Sequence, residues 1–206
     1  MPLSPAFLRA LLDAEHYHHE QLRKGTTIPY FSHLIGVCSL VLEAGGTETE
    51  AIAALFHDAA EDAGGEPILS AIAANYGIEV ATIVRECSDA TPLPGEEKPP
   101  YMQRKRAYLK HLTSAGASTM LVSAADKLHN LRAIYSDYAE IGDAIFQRFS
   151  APDPKREHVL WYYASLRDAY INPDSASDYR RNRLVVGLTE LLKNLGYQDG
   201  EFEPND

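Results

Sequence analysis

The chain has little cysteine, no long apolar run and no excess of positive charge, and each shortage narrows what it can be. Its two cysteines, Cys38 and Cys87, sit in apolar helical patterns without metal-type spacing. That excludes a thiolate zinc ribbon and points to reduced core residues rather than a disulfide. No apolar stretch approaches the roughly 20 residues a membrane span needs. The N-terminus, MPLSPAFLRALLDAEHYHHE, turns acidic and His-rich within two turns, unlike a signal peptide. A cytoplasmic protein is expected. With 19 basic against 29 acidic residues the formal net charge is −10, so long-range repulsion disfavours nucleic acid and anionic membrane as partners. A small anionic substrate is still admitted, because it feels the local charges of its own pocket. Alternating strand runs, internal repeats and low-complexity tracts are missing too.

What is present is helical periodicity, and the expected fold is all-α, a compact multi-helix bundle. A first amphipathic helix is expected from Phe7 to about Lys24, and a second over residues 30–44, closed by Gly45-Gly46. Thr47 then opens a third helix, with Glu50 as its capping-box partner. Residues 51–63 are apolar almost all round until His57, which marks a buried central helix. Helices are expected further along at about 67–76, 78–89, 102–112, 118–135, 141–149, 155–170 and 181–195. The Pro-rich, charged segment 91–100 is the clearest loop and a candidate substrate lid. Residues 1–197 are expected to form one domain, with a motif-bearing core at about 6–170 and C-terminal helices over 155–197. An acidic tail, 198–206, is expected to fray.

The chemistry-bearing residues stand out against this apolar background. His57-Asp58 ends the run Ala51-Ile-Ala-Ala-Leu-Phe. A buried Asp needs a strong partner, and a metal ion supplies one; a solvent-exposed helix end with a core histidine is the competing reading. Glu61 and Asp62 follow one turn later. Three carboxylates so close repel one another by about 0.2–0.5 kcal/mol per exposed pair, a cost that a divalent cation would remove. His33 begins another apolar helix, where a capping or core histidine is the alternative. Asp126 interrupts Met120-Leu-Val-Ser-Ala-Ala, where an ion pair with Lys127 or Arg132 is the alternative. Two His and two Asp suit Mn²⁺, Fe²⁺ or Zn²⁺ rather than a thiolate site.

In order and spacing, His33, His57-Asp58 and Asp126 resemble the HD superfamily of metal-dependent phosphohydrolases. More narrowly, Arg23-Lys24-Gly25…Pro29-Tyr30-Phe31-Ser32-His33, His57-Asp58-Ala-Ala-Glu61-Asp62 and Ala125-Asp126-Lys127-Leu128-His129-Asn130-Leu131-Arg132 resemble the hydrolase domain of RelA/SpoT proteins, which stands alone in the small alarmone hydrolases. The resemblance spans about residues 6–170, and the chain is too short for the synthetase domain of bifunctional relatives. It implies an Mn²⁺ site of His33, His57, Asp58 and Asp126, another divalent transition metal being an alternative. Glu61 and Asp62 match the pair that positions and deprotonates the attacking water. Arg23 and Lys24 match a basic pair near the purine and phosphates, and Asn130 a nucleoside contact.

The implied reaction removes the 3′-pyrophosphate of guanosine tetra- or pentaphosphate, leaving GDP or GTP. So anionic a substrate calls for cations, for which Lys127 and Arg104-Lys105-Arg106 are further candidates. An ion pair or solvent exposure competes for Lys127, and a solvated helix face for the triplet. His129 reads as structural. The chain departs from the family pattern at Leu34 and Ala63, where Pro and Thr are frequent. Trp161-Tyr162-Tyr163 resembles the C-terminal helix of the small hydrolases, although aromatics at that spacing are most often core. Competing functions are a nucleotide or NADPH phosphatase, a silent alarmone-binding module and a helical scaffold. The oligomeric state is left open.

Overall fold

A computed structural model describes residues 2–62, 64–88, 99–171 and 179–204. Helix α1, Pro5–Tyr17, starts where Ser4 Oγ accepts the Ala6 N–H at 3.1 Å and Pro5 presets the first turn. It stops at Tyr17, short of the expected Lys24. His18 leaves helical geometry and turns its ring inward, and the following backbone pairs with a later segment instead. Arg23 N–H donates to Ile28 C=O at 2.8 Å, Tyr30 N–H donates to Gln21 C=O at 2.8 Å, and Leu22 bridges Pro29. No strand forms among the described residues.

Helix α2, Phe31–Glu43, and α3, Glu48–Phe56, follow, and α3 opens on the expected Thr47–Glu50 capping box. The expected helix over 51–63 is broken: His57 and Asp58 form a turn, and α4, Ala59–Asp62, resumes after it. Helices α5 (Glu66–Tyr76), α6 (Ile78–Cys87) and α7 (Tyr101–Leu112) come next. The candidate lid over 91–100 lies mostly outside the described residues.

Helix α8, Ala117–Ile141, is longer than its expected 118–135 span, because no breaker intervenes before Gly142, whose φ of +60° stops it. The 3₁₀ segment Gly142–Arg148 replaces the α-helix expected at 141–149. It buries the adjacent pair Ile145 and Phe146, a spacing that gives an α-helix no continuous face. Helices α9 (Lys155–Ile171) and α10 (Tyr179–Asn194) complete the set.

The centre of the molecule is α3 packed between α2, α6 and α8. Ala51, Ala53 and Ala54 on α3, and Ala124 and Ala125 on α8, are fully buried, and small side chains there let the helix axes approach. Larger residues close the space between them, among them Leu55, Phe56, Leu121 and Leu128, each contributing about 1.5–3 kcal/mol by leaving water. Both cysteines are buried and free. The tail is not frayed through residue 204. Asp199 pairs with Arg167 at 2.7 Å, Phe202 packs edge-on to His158, and buried Pro204 accepts from Arg106 at 3.0 Å. No helix among the described residues is long and apolar enough to cross a membrane.

Candidate functional site

Three elements of this core bring four ionisable side chains to one place. His33 comes from the first turn of α2, His57 and Asp58 from the turn between α3 and α4, and Asp126 from the buried half of α8. His33 Nε2 and His57 Nε2 face each other at 3.3 Å. Asp58 Oδ2 lies 2.9 Å from His57 Nε2 and 3.7 Å from His33 Nε2. Asp126 Oδ1 lies 3.2 Å from His33 Nε2 and 3.5 Å from His57 Nε2. The ligand atoms of His33, His57 and Asp58 fall within 4.8 Å of one another.

The donor chemistry of these residues fits a divalent metal. His57 Nδ1 is held by the Ala54 carbonyl at 2.9 Å and His33 Nδ1 by His129 Nδ1, also at 2.9 Å. Each ring therefore presents its Nε2 lone pair to the cluster, the arrangement that metal-ligating imidazoles adopt. Two neutral rings would set lone pair against lone pair, and a cation relieves that repulsion. Burial pushes His33 down; it pushes His57 the same way, but Asp58 and Asp126 outweigh it and hold His57 well above its ordinary value. Burial would raise both carboxyls, yet Asp58 is held below the usual range by His57, and Asp126 by Lys127 and then His57.

A second ring of contacts fixes these groups. Burial, with His33 and Arg23 nearby, pushes His129 down to about 4, so it stays neutral and can accept the His33 Nδ1–H. Its place depends on Gly36 of α2, where an added Cβ would lie 2.1 Å from His129 Nε2. Tyr30 donates its hydroxyl to Asp58 Oδ2. Asn130 Nδ2 donates to Asp126 Oδ1 and Lys127 Nζ to Asp126 Oδ2, each at 2.5 Å. Lys127 is thus engaged in the ion pair that the sequence left open, although it also lines a cavity. Glu61 and Asp62 stand on the short α4, Glu61 half-buried and Asp62 exposed. Asp62 Oδ2 accepts from Gln21 Nε2 at 2.9 Å.

A cavity of about 310 Å³ adjoins the cluster. Tyr30 and Asn130, which bond Asp58 and Asp126, stand in its wall together with Arg23, Lys24, Arg148, Ile134 and Tyr163. Arg23 donates to Asn130 Oδ1 at 3.0 Å, which ties the wall to the cluster. Arg148 pairs with Asp137 at 2.5 Å and crosses Gly25, where a Cβ would meet its Nε at 2.9 Å. That close approach and a φ of +74° call for glycine after Arg23-Lys24.

A second cavity of about 220 Å³ shares Lys24, Asn130, Phe149 and Tyr163 with the first and adds Tyr101, Arg104, Lys105 and Tyr162. Arg104 and Lys105 are therefore wall residues, whereas Arg106 points to the tail. Sequence reading passed over Gln21 and Arg148 and gave Tyr30 no role. Their signal is weak, since each is defined by partners distant in the chain.

Known proteins resemble this chain in sequence and in fold. A model of the HD domain matches residues 10–153. The guanosine-3′,5′-bis(diphosphate) 3′-pyrophosphohydrolase MESH1 of Xenopus tropicalis is 35% identical over 128 residues, 61% of this chain and 67% of that protein. Its human counterpart is 36% identical over 120 residues, 56% of this chain and 62% of that one. The chain thus spans about two thirds of the length of these relatives. A solved structure described as a metazoan ortholog of SpoT that hydrolyzes ppGpp superposes with a TM-score of 0.74 at 25% identity, covering 95% of this chain and 98% of that one. A Listeria monocytogenes structure, at 22% identity and a TM-score of 0.60, shares the fold. The histidine–aspartate cluster lies inside the matched span, and the chain belongs to the HD domain family.

Proposed function

We propose that this protein is a metal-dependent pyrophosphohydrolase that removes the 3′-pyrophosphate from guanosine tetra- or pentaphosphate. One observation carries the reading: the buried cluster and a cation-lined cavity share their wall through Tyr30 and Asn130. The MESH1 proteins named for this reaction support the choice of substrate.

His33, His57, Asp58 and Asp126 would hold the metal, Mn²⁺ on this reading. When bound, such an ion lowers the pKa of water and offsets charge on the attacked phosphoryl group. Arg23, Lys24 and Arg148 bind the phosphates, and the half-apolar wall of Ile134 and Tyr163 takes the nucleoside. Glu61 or Asp62 orients the water and accepts its proton. Water adds to the phosphorus on the 3′-oxygen, the bond to that oxygen breaks, the proton taken by the carboxylate is returned to the 3′-oxygen, and the nucleotide and pyrophosphate leave. Lys127 acts through Asp126, whose charge it balances, rather than on substrate.

The test is to incubate purified protein with guanosine tetraphosphate and Mn²⁺, against an EDTA control, following GDP and pyrophosphate. Equal, metal-dependent release of both supports the reading, and Glu61→Gln should keep the metal and lose rate. No turnover by metal-loaded protein overturns the substrate assignment, and turnover of NADPH instead would redirect it.

A further inference from the structure

His18 lies outside the metal cluster, yet it is only 3% exposed. A buried imidazole is costly unless its nitrogens are used, and here Nδ1 is the nitrogen with a partner, Nε2 being buried without one. Its Nδ1 sits 2.5 Å from Gln21 Oε1, and its ring stacks on Tyr30 with centroids 5.2 Å apart. Gln21 in turn donates from Nε2 to Asp62 Oδ2 at 2.9 Å. The direction of this chain is fixed by its end. An ionised carboxylate only accepts, so the amide nitrogen of Gln21 must face Asp62 and its oxygen must face His18. His18 is therefore the donor through Nδ1. The backbone is held as firmly: Gln21 N–H donates to the His18 carbonyl at 3.0 Å, and its own carbonyl accepts from Tyr30 at 2.8 Å.

We infer that His18 and Gln21 form a positioning pair that sets the orientation of the Asp62 carboxylate for handling water, an inference that rests on the proposed hydrolase reading. Asp62 is exposed and stands on a helix of four residues, so its own element does little to fix its rotamer. Gln21 supplies the constraint, and buried His18 keeps Gln21 from turning over. Groups of this kind hold a reacting residue to within about 0.5 Å, and their loss typically costs about 10- to 100-fold in activity. His18 also serves the neighbouring carboxylate, since it stacks on the ring of Tyr30, whose hydroxyl donates to Asp58.

The experiment compares Gln21→Met, Gln21→Glu and His18→Phe with the wild type, with Mn²⁺ bound. Met and Glu preserve the volume of Gln21, and Phe preserves the stack on Tyr30, so a packing role would leave all three active. The positioning role gives a fall in kcat of about 10- to 100-fold, a KM within about twofold, and unchanged metal content and Tm. Gln21→Glu should be the worst, because it sets a second carboxylate against Asp62. His18→Asn, which returns an N–H near the Nδ1 position, should recover part of the rate lost in His18→Phe.

Crystal structures of wild type and Gln21→Met read the inference without activity; Asp62 should leave its wild-type rotamer in the variant. An inactive wild type overturns the substrate reading while the structures still decide the positioning. Unchanged kcat in Gln21→Met and His18→Phe, a change confined to KM, or an unmoved Asp62 would each overturn the inference. Should Gln21→Met fail to fold, His18→Phe decides it by the same kcat and rotamer readings.

Discussion

The metal cluster and the wall of the cavity beside it are built on opposite plans. The cluster uses short side chains on two buried helices and the turn between α3 and α4: His33, His57 and Asp126 are 0–4% exposed, and Asp58 is half-buried. Their ring nitrogens and carboxylate oxygens are held by neighbours such as His129, the Ala54 carbonyl, Asn130 and Lys127. The wall draws on a loop, α8, the 3₁₀ segment and α9, and its cations are long side chains from the loop and the 3₁₀ segment, Arg23, Lys24 and Arg148. The two arginines are held by few contacts, Arg23 on Asn130 and Arg148 on Asp137. The difference teaches where precision is invested. Metal geometry tolerates little displacement, so it is set in the part of the core that cannot rearrange. On the proposed reading, phosphate recognition would depend on charge and reach, which long cationic side chains supply.

Breaking the cluster should have the largest effect. Asp58→Ala is expected to weaken metal binding by more than about 100-fold, since loss of a mere supporting partner already costs about 10- to 100-fold; isothermal titration with Mn²⁺ measures this. Asp126→Ala should do the same and also lower stability by about 3–5 kcal/mol, because it strands the Lys127 ammonium, only 16% exposed. Urea denaturation of the two metal-free variants should separate them, with Asp126→Ala the weaker.

Gly36→Ala tests the layer behind the cluster. The new methyl would displace His129 and, through it, His33. Metal affinity should fall by about 10- to 100-fold, although no ligand has been altered. Normal affinity in this variant would show that His129 does not position His33.

On the wall, Arg23→Ala and Arg148→Ala should each raise KM by about 10- to 100-fold, as expected for losing a charged hydrogen bond worth about 1.5–3 kcal/mol. Metal content should not change. A loss of bound metal in Arg148→Ala would erase the distinction between wall and cluster.

The smallest effect concerns the cysteines. Burial pushes the Cys38 thiol up to about 12 and raises Cys87 as well. A folded-state pKa raised above the ordinary value of 9.0 contributes stability that is complete below that value and is lost as pH rises towards 12. At pH 8 neither thiol should react with a disulfide reagent until the protein is unfolded.

The contrast also explains how much could be read from the sequence. The helices and the four cluster residues stood out because each polar residue interrupts a buried apolar run, a local signal. Thr47 and Glu50 were legible from another local signal, the capping-box spacing at a helix start. The end of α1 at Tyr17 was not, because residues 18–24 contain no helix breaker and the chain turns only to pair with residues 28–30. Arg148 and Gln21 were hidden as well, since their roles depend on Gly25 and on Asp62 from other elements. The ion pair of Lys127 was one of two readings, and only the packing around Asp126 selects it.

The most direct test of the central claim is a titration of metal-free protein with Mn²⁺, reading bound metal and hydrolysis of guanosine tetraphosphate in the same samples. The account predicts that turnover rises in step with occupancy of the histidine–aspartate cluster and that Asp58→Ala abolishes both. Turnover that persists without bound metal, or a wild type that fills with metal and releases no pyrophosphate, would contradict it.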